Sequence, residues 1–274
     1  MAIWQGKTAL ITGASYGIGA AFAQRLAAEG AHLILTARSA DRLAALADEL
    51  KRQHNTRVTI IAADLAADLA ADLAADLNEA SAPQHIFDET QRQGLTVDLL
   101  INNAGFGAVG DFAFQSLDKQ LAMIQVNVTA LVALTHLFLP PMLARRHGYI
   151  LNLGSTASFQ GVPFLATYAA TKSFILNFSE GLWGECKPYG VTVTTLCPGS
   201  TESNFHAVAG SERHNAKQSA ESVVEIGLQA LAQGRSHVVS GWNNKLMVWM
   251  ERFVPRQTVI GMATKVFQEF ARKN

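Results

Sequence analysis

Lys7-Thr8-Ala9-Leu10-Ile11-Thr12-Gly13-Ala14-Ser15-Tyr16-Gly17-Ile18-Gly19 is a short apolar run that breaks into a glycine-rich turn. Lys7–Ile11 is β-prone and bounded by glycine on both sides, which suits a strand buried on both faces. After Gly19, the stretch Ala20–Glu29 is rich in strong helix formers and stops at Gly30. Strand, glycine turn, helix is the setting in which glycines make a phosphate site. They let the backbone turn tightly and approach a pyrophosphate, while the helix start offers free N–H groups and partial positive charge. A plain packing turn uses the same three glycines, so the reading needs support from the rest of the chain.

The chain has 274 residues, 49% hydrophobic and 16% charged, which is the balance of a globular protein able to form one large α/β domain. Lysine plus arginine and aspartate plus glutamate number 22 each, so no global charge draws it to nucleic acid. Two cysteines, Cys186 and Cys197, are too few for a disulfide framework or a zinc site. They imply a reducing, cytoplasmic setting with buried inert thiols and no metal centre. The start of the chain shows no export signal, and no run of about 18 apolar residues argues for a spanning helix.

Apolar runs alternate with helical patterns almost to the end. After Lys7–Ile11 come Ala31–Thr36, Arg57–Ala62, a run ending Leu99–Ile101, Tyr149–Leu153, Val191–Leu196 and His237–Val239. Strands separated by helices, such as Asp41–Gln53, imply parallel pairing through right-handed crossovers. The expected fold is α/β, a doubly wound parallel seven-stranded sheet of Rossmann type in a single domain, 1–274. Its cofactor-binding half would span about 1–145, its catalytic and substrate half about 146–240, and a helical tail about 241–274.

One segment interrupts this rhythm. Asp64–Leu77 repeats Asp-Leu-Ala-Ala, with aspartates at 64, 68, 72 and 76. The strict copy lacks the turn glycine and bidentate glutamate of a calcium loop, and reads instead as a lengthened surface helix. Asp64 alone has a chemical role to propose, because it follows the third strand on the ligand-binding edge of an open sheet.

The second strand ends Thr36-Ala37-Arg38. An acidic residue there would hold the ribose 2′-hydroxyl of NAD; Arg38 instead suits a 2′-phosphate, with Ser15 adding a hydroxyl donor. Arg42, one turn on, reads as surface. Asn102-Asn103-Ala104-Gly105 follows the fourth strand, where amide side chains bridge strand ends. Tyr168 and Lys172, at i and i+4 on a helix from about Ala166 through Trp183, share one face. An ammonium beside a phenol favours the phenolate and lowers its pKa, which fits Tyr168 for proton exchange with a substrate oxygen. Ser155, after the fifth strand, is placed to hydrogen-bond that oxygen.

On these motifs the chain resembles a short-chain dehydrogenase/reductase over essentially its whole length. Thr12–Gly19 matches the TGxxxGxG turn, Asn102–Gly105 the NNAG, and Tyr168/Lys172 the YxxxK, with Ser155 thirteen residues before Tyr168. The resemblance implies hydride transfer between NADP(H) and an alcohol or ketone carbon, with Tyr168 as general acid in reduction. Asn127 matches the helix asparagine whose backbone distortion serves a proton relay through Lys172, which would also bind the nicotinamide ribose.

Gly13, Ser15, Tyr16, Gly17, Ile18 and Gly19 would cradle the pyrophosphate, and Asn103, Ala104 and Gly105 would line the same cleft. Asp64 and Leu65 would flank the adenine, and Pro198, Gly199, Thr201 and Ser203 the nicotinamide. Tyr16 stands at a position that is often small, polar or basic and gives up a possible extra cation at the 2′-phosphate. Thr201 replaces an aliphatic residue, and Ser203 keeps a hydroxyl.

Phe106, Phe159, Gln160, Val162 and Phe164 should surround an apolar, lipid-like carbonyl substrate, with Asn204–Gln218 as a lid. The tail from Lys245 to Asn274 carries six basic and two acidic residues. Its apolar positions Val259, Met262, Ala263, Val266, Phe267 and Phe270 fall on one helix face. Docking on its own core or on a second subunit is expected over contact with a membrane surface, as neither tail helix has a large lysine-rich face. The expected assembly is a homodimer or homotetramer. The leading function is an NADP(H)-dependent carbonyl reductase/alcohol dehydrogenase, with a 3-oxoacyl or steroid-type lipid reductase as the alternative. From another class comes a dinucleotide sensor without turnover, which intact Ser155, Tyr168 and Lys172 oppose.

Overall fold

Each apolar run becomes a strand, in a computed structural model that describes residues 3–66, 82–201 and 218–271. The strands are β1 (Thr8–Thr12), β2 (His32–Thr36), β3 (Val58–Ile60), β4 (Leu99–Asn102), β5 (Gly148–Leu153), β6 (Val191–Cys197) and β7 (His237–Val239). All pair in parallel in the order 3-2-1-4-5-6-7. The strand order reverses beside β1, between it and β4, and such a switch point opens the crevice where doubly wound sheets bind ligands. β3 is shorter than the expected Arg57–Ala62. It is an edge strand whose residues are only partly covered, so fewer of them are held in the ladder.

Helices cover both faces. On one lie α1 (Gly17–Ala28), α2 (Ala40–His54) and α7 (Ala220–Ala232), packing Leu26, Leu43 and Val224 on Leu33 and Leu99. On the other lie α3 (Ala82–Arg92), α5 (Ala130–Ala144) and α6 (Ala166–Cys186), packing Ile86, Leu134 and Phe138 on Leu10, Leu100 and Ile150. α4 (Leu117–Ile124) leads into α5 through a π turn, Gln125–Thr129.

The stretch Leu117–Ala144 is apolar enough to cross a membrane by length and composition, with a mean hydropathy of 1.7 in its best window. Its Leu131, Leu134, Phe138 and Met142 are buried in the fold, while 39% of that window is buried as a whole.

The tail forms α8 (Trp242–Glu251) and α9 (Arg256–Ala271). The Asp-Leu-Ala-Ala copies beyond residue 66 lie outside the described residues, as do Ser203 and nearly all of the expected lid.

Candidate active site

The glycine turn at the end of β1 has the geometry that its composition requires. Gly13 and Gly17 hold φ of 63° and 51°, the left-handed region that favours glycine. A Cβ on Gly13 would stand 2.9 Å from the Cα of Ala104, so the two loops meet backbone to backbone. Asn103 Nδ2 donates to the carbonyls of Thr12 and Gly13 at 2.9 and 3.2 Å, and Thr12 Oγ1 accepts from the N–H groups of Asn103 and Ala104. The amides thus brace neighbouring strand ends as expected, and Asn102 does the same for Asn152 on β5 at 2.9 Å.

No side chain caps the start of α1, and its first turn has no acidic residue. Its N–H groups and positive dipole end therefore face the cleft unopposed. A dinucleotide pyrophosphate fits this cradle. Gly13, Ser15, Tyr16, Gly17 and Ile18 line the cavity beside it, together with Asn103, Ala104 and Gly105. Gly19 packs instead against the turn, where a Cβ would approach Asn103 Nδ2 to 2.6 Å.

At the β2 end, Arg38 is 74% exposed and its Nε lies 4.0 Å from Asp64 Oδ1. Asp64 and the buried Leu65 both line the cavity beyond the end of β3. The Arg42 guanidinium sits 4.1 Å over the centroid of the Tyr16 ring, and both line the same end. Arg42 is exposed, as a surface residue would be, and it also borders the cavity, where the Tyr16 ring holds its cation. A basic residue one helical turn after Arg38 was the available signal.

Tyr168, Lys172 and Ser155 converge at the centre of the crevice. Tyr168 is 9% exposed and Lys172 4%. A 3₁₀ turn, Thr156–Ser158, aims Ser155. Its Oγ accepts from the Ala157 N–H at 3.1 Å, and its own N–H donates to Ser158 Oγ. The Ser155 hydroxyl also hydrogen-bonds the Tyr168 phenol and pulls its pKa down. Lys172 Nζ donates to the Leu153 carbonyl at 2.7 Å and lies 5.7 Å from the Tyr168 ring centroid.

Here the expected direction fails. Burial outweighs every favourable contact, pushing the phenol up to about 12 and the ammonium down to about 8. Asn127 sits in the π turn, so the expected backbone distortion is present. Its side chain exchanges hydrogen bonds with Phe106 N–H and C=O, both at 3.0 Å, and donates to Thr171 Oγ1 on α6 at 3.1 Å. It thereby fixes the strand-end loop against the helix that carries Tyr168.

The Pro198 carbonyl accepts from the Thr156 N–H at 2.9 Å and so locks the β6 end to the Ser155 turn. Pro198, Gly199 and the buried Thr201 line the cavity. That cavity, about 1070 Å³, runs from Arg38 and Arg42 past Tyr168 to the tail helices. Phe106, Gln160 and Val162 line it as expected. Phe159 instead packs against Leu176 and Val248, and Phe164 turns away toward Phe112 with φ of 65°.

Met250 and Glu251 of α8, Val254 between the helices, and Met262 and Val266 of α9 form the far wall, which the sequence reading missed. Phe267 of α9 packs beside Tyr168, Val162 and Met123. Among the described residues, Gln160 Oε1 and Glu251 Oε2 are buried in this wall without a hydrogen-bond partner, and burial raises the Glu251 carboxyl.

A family model described as short chain dehydrogenase matches residues 7–214. A very-long-chain 3-oxoacyl-CoA reductase of Aspergillus clavatus is 35% identical over 191 residues, covering 69% of this chain and 52% of that protein. The chain thus spans about half the length of that relative. A duck (Anas platyrhynchos) protein of the same name is 30% identical over 272 residues, 95% of this chain and 80% of the relative. A solved short-chain dehydrogenase from Sphingobium yanoikuyae, in complex with NADPH, superposes with a TM-score of 0.76 at 32% identity, covering 86% of this chain and 88% of its own.

Proposed function

The chain belongs to the short-chain dehydrogenase/reductase family of oxidoreductases, and we propose that it reduces the carbonyl of a long apolar substrate, of acyl-chain or steroid type, with NADPH. The observation that carries this reading is the single cavity that joins a glycine cradle and two arginines at one end to an apolar wall at the other, with Tyr168 between. The names of the fungal and duck relatives support an acyl substrate, and the NADPH bound by the Sphingobium protein supports the cofactor. Assembly as a homodimer or homotetramer, in a reducing cytoplasmic setting that suits the free buried thiols of Cys186 and Cys197, belongs to the same proposal.

The cofactor, when bound, supplies the hydride; the chain supplies position and protons. Gly13–Ile18 and the start of α1 would hold the pyrophosphate, while Arg38 and Arg42 would hold the 2′-phosphate. Tyr168 donates its phenolic proton to the carbonyl oxygen as negative charge develops there. A pKa pushed up to about 12 keeps that phenol protonated at neutral pH, the form an acid needs. Ser155 stabilises the same oxygen by a hydrogen bond. Lys172, charged below about 8, holds positive charge beside the phenol and can return a proton to the phenolate, becoming a neutral amine. Asn127 positions α6 through Thr171, whose hydroxyl donates to the Tyr168 carbonyl at 2.7 Å.

The test is NADPH oxidation against short aldehydes, ketosteroids and 3-oxoacyl thioesters of increasing chain length, with Tyr168→Phe as control. Turnover that rises with chain length and vanishes in the variant supports the reading. Equal inactivity of both proteins, with NADPH still bound, would establish the sensor instead.

A further inference from the structure

The two tail helices present an outward face of a kind that a helix standing in water does not keep. Trp242, Leu246, Trp249 and Phe253 recur at i, i+4, i+7 and i+11, which stacks them along one side of α8 and its C-terminal extension. Trp242 is 77% exposed, Trp249 57% and Phe253 71%. The buried residue of that helix, Val248, lies on the opposite side. The polarity is therefore inverted: the side away from the core carries the aromatic rings. Contiguous exposed apolar surface of this kind marks an interaction site.

The stripe is continuous with the mouth of the cavity. Met250, next to Trp249, lines the cavity and is half exposed; Met262 and Val266 on α9 do the same. α9 is anchored by a narrow seam, Ala263 and Phe267, so the expected docking on the core uses one edge of the helix and leaves the rest bare.

Charge decides what covers it. The two tail helices, residues 242–271, contain four basic side chains, Lys245, Arg252, Arg256 and Lys265, and two acids, Glu251 and Glu269. All four cations are exposed, and among the described residues none is in an ion pair. Glu251 is turned into the cavity wall, where burial favours its neutral form. A symmetric contact between two copies would set this net-cationic face against itself. An anionic lipid surface answers both features: tryptophans favour the headgroup boundary, and lysine and arginine favour acidic headgroups.

We propose that the α8–α9 face docks on an anionic lipid bilayer, with the lip of the cavity at Met250, Met262 and Val266 facing the lipid. An apolar substrate would then pass from bilayer to Tyr168 without crossing water. The docking itself does not depend on the proposed chemistry, because it is read without cofactor or substrate.

The experiment is co-sedimentation of the purified full chain with phosphatidylcholine vesicles, with and without about 30% phosphatidylserine. The expected result is binding to the anionic vesicles that salt weakens, with a blue shift of tryptophan fluorescence. The double variant Trp242→Ser/Trp249→Ser should bind at least about tenfold more weakly while keeping any turnover of a small water-soluble ketone. Lys245→Glu/Arg252→Glu should remove the preference for phosphatidylserine and leave the apolar stripe intact. Failure of the wild type to sediment with either vesicle overturns the proposal. So does a concentration-dependent dimer that the tryptophan variant dissociates, which would assign this face to a second copy.

Discussion

The arginine pair at the end of β2 allows the cofactor assignment to be tested as a difference. Arg38 is mostly exposed, with Asp64 at 4.0 Å as its ion-pair partner, so it is free to turn toward an anion on the cavity wall. A charge-assisted hydrogen bond contributes about 1.5–3 kcal/mol, and exposure places Arg38 in the lower part of that range. Arg38→Ala should therefore weaken a 2′-phosphorylated ligand by about 2 kcal/mol, roughly 30-fold. Arg42 acts through a different device, as the Tyr16 ring 4.1 Å beneath it limits where its guanidinium goes.

A cation–π contact at an exposed site is worth about 0.5–1 kcal/mol, so Tyr16→Leu should cost about 2–5-fold by releasing Arg42, whereas Tyr16→Phe keeps the ring and should be silent. The assay is calorimetric titration with 2′,5′-ADP against 5′-ADP, which separates the phosphate from everything else and needs no turnover. Losses confined to 2′,5′-ADP support the assignment. Equal losses for both ligands in Arg38→Ala would refute the 2′-phosphate role, and a silent Tyr16→Leu would refute the stacking.

The pH dependence follows from Lys172. Because its ammonium titrates near 8 and the Tyr168 phenol near 12, carbonyl reduction should hold level below pH 8 and fall above it, with Tyr168 contributing no limb below pH 10; a profile that rises through pH 8 would overturn this order. The folded pKa of Lys172 lies below its ordinary 10.5, so burying the charge costs stability up to pH 8, and the cost fades as pH rises toward 10.5. Lys172→Met should accordingly be inactive yet gain stability at pH 7, by up to ~3 kcal/mol, and gain less at pH 10, as read by thermal melts. Gly19→Ala sets a favourable helix propensity of about 1 kcal/mol against a Cβ driven into Asn103 Nδ2 and the Gly13 carbonyl. The steric term should win, with lower stability and loss of NADPH binding measured by fluorescence; unchanged binding would show that the turn gives way easily.

The sheet was legible because its strands are covered on both faces. Leu10, Ile34, Leu100 and Ile150 make each run apolar throughout, and glycines or loops set the limits. The reacting groups were legible because local spacing carries them: Tyr168 and Lys172 lie one helical turn apart, and Ser155 stands at a strand end. The parts that escaped are those that no local spacing encodes. Arg42 meets Tyr16 across 26 positions of chain, and the loop and helix involved are brought together by the β1–β2 pairing and the packing of α1 on α2. Phe159 and Phe164 bracket Gln160 and Val162 in sequence, yet one joins the core and the other turns away, because Phe164 adopts a positive φ that its neighbours do not.

Burial is the quantity that sequence conveys least, and it governs the chemistry here. Spacing alone puts an ammonium beside a phenol and suggests a phenolate. The fold buries both, with Phe267 packed beside Tyr168, and desolvation then reverses the outcome by favouring the neutral form of each. That reversal suits a reductase. A phenol that holds its proton loses it only when charge appears on an oxygen within reach, so proton donation is coupled to arrival of the hydride. The same wall that dries the phenol is built from α9, whose other edge is the apolar lip of the cavity. Removal of Gln257–Asn274 should therefore do more than shorten a tail. It uncovers the apolar cluster around Tyr168, lets water lower the phenol toward its ordinary 10, and takes away the Met262 and Val266 side of the substrate's wall.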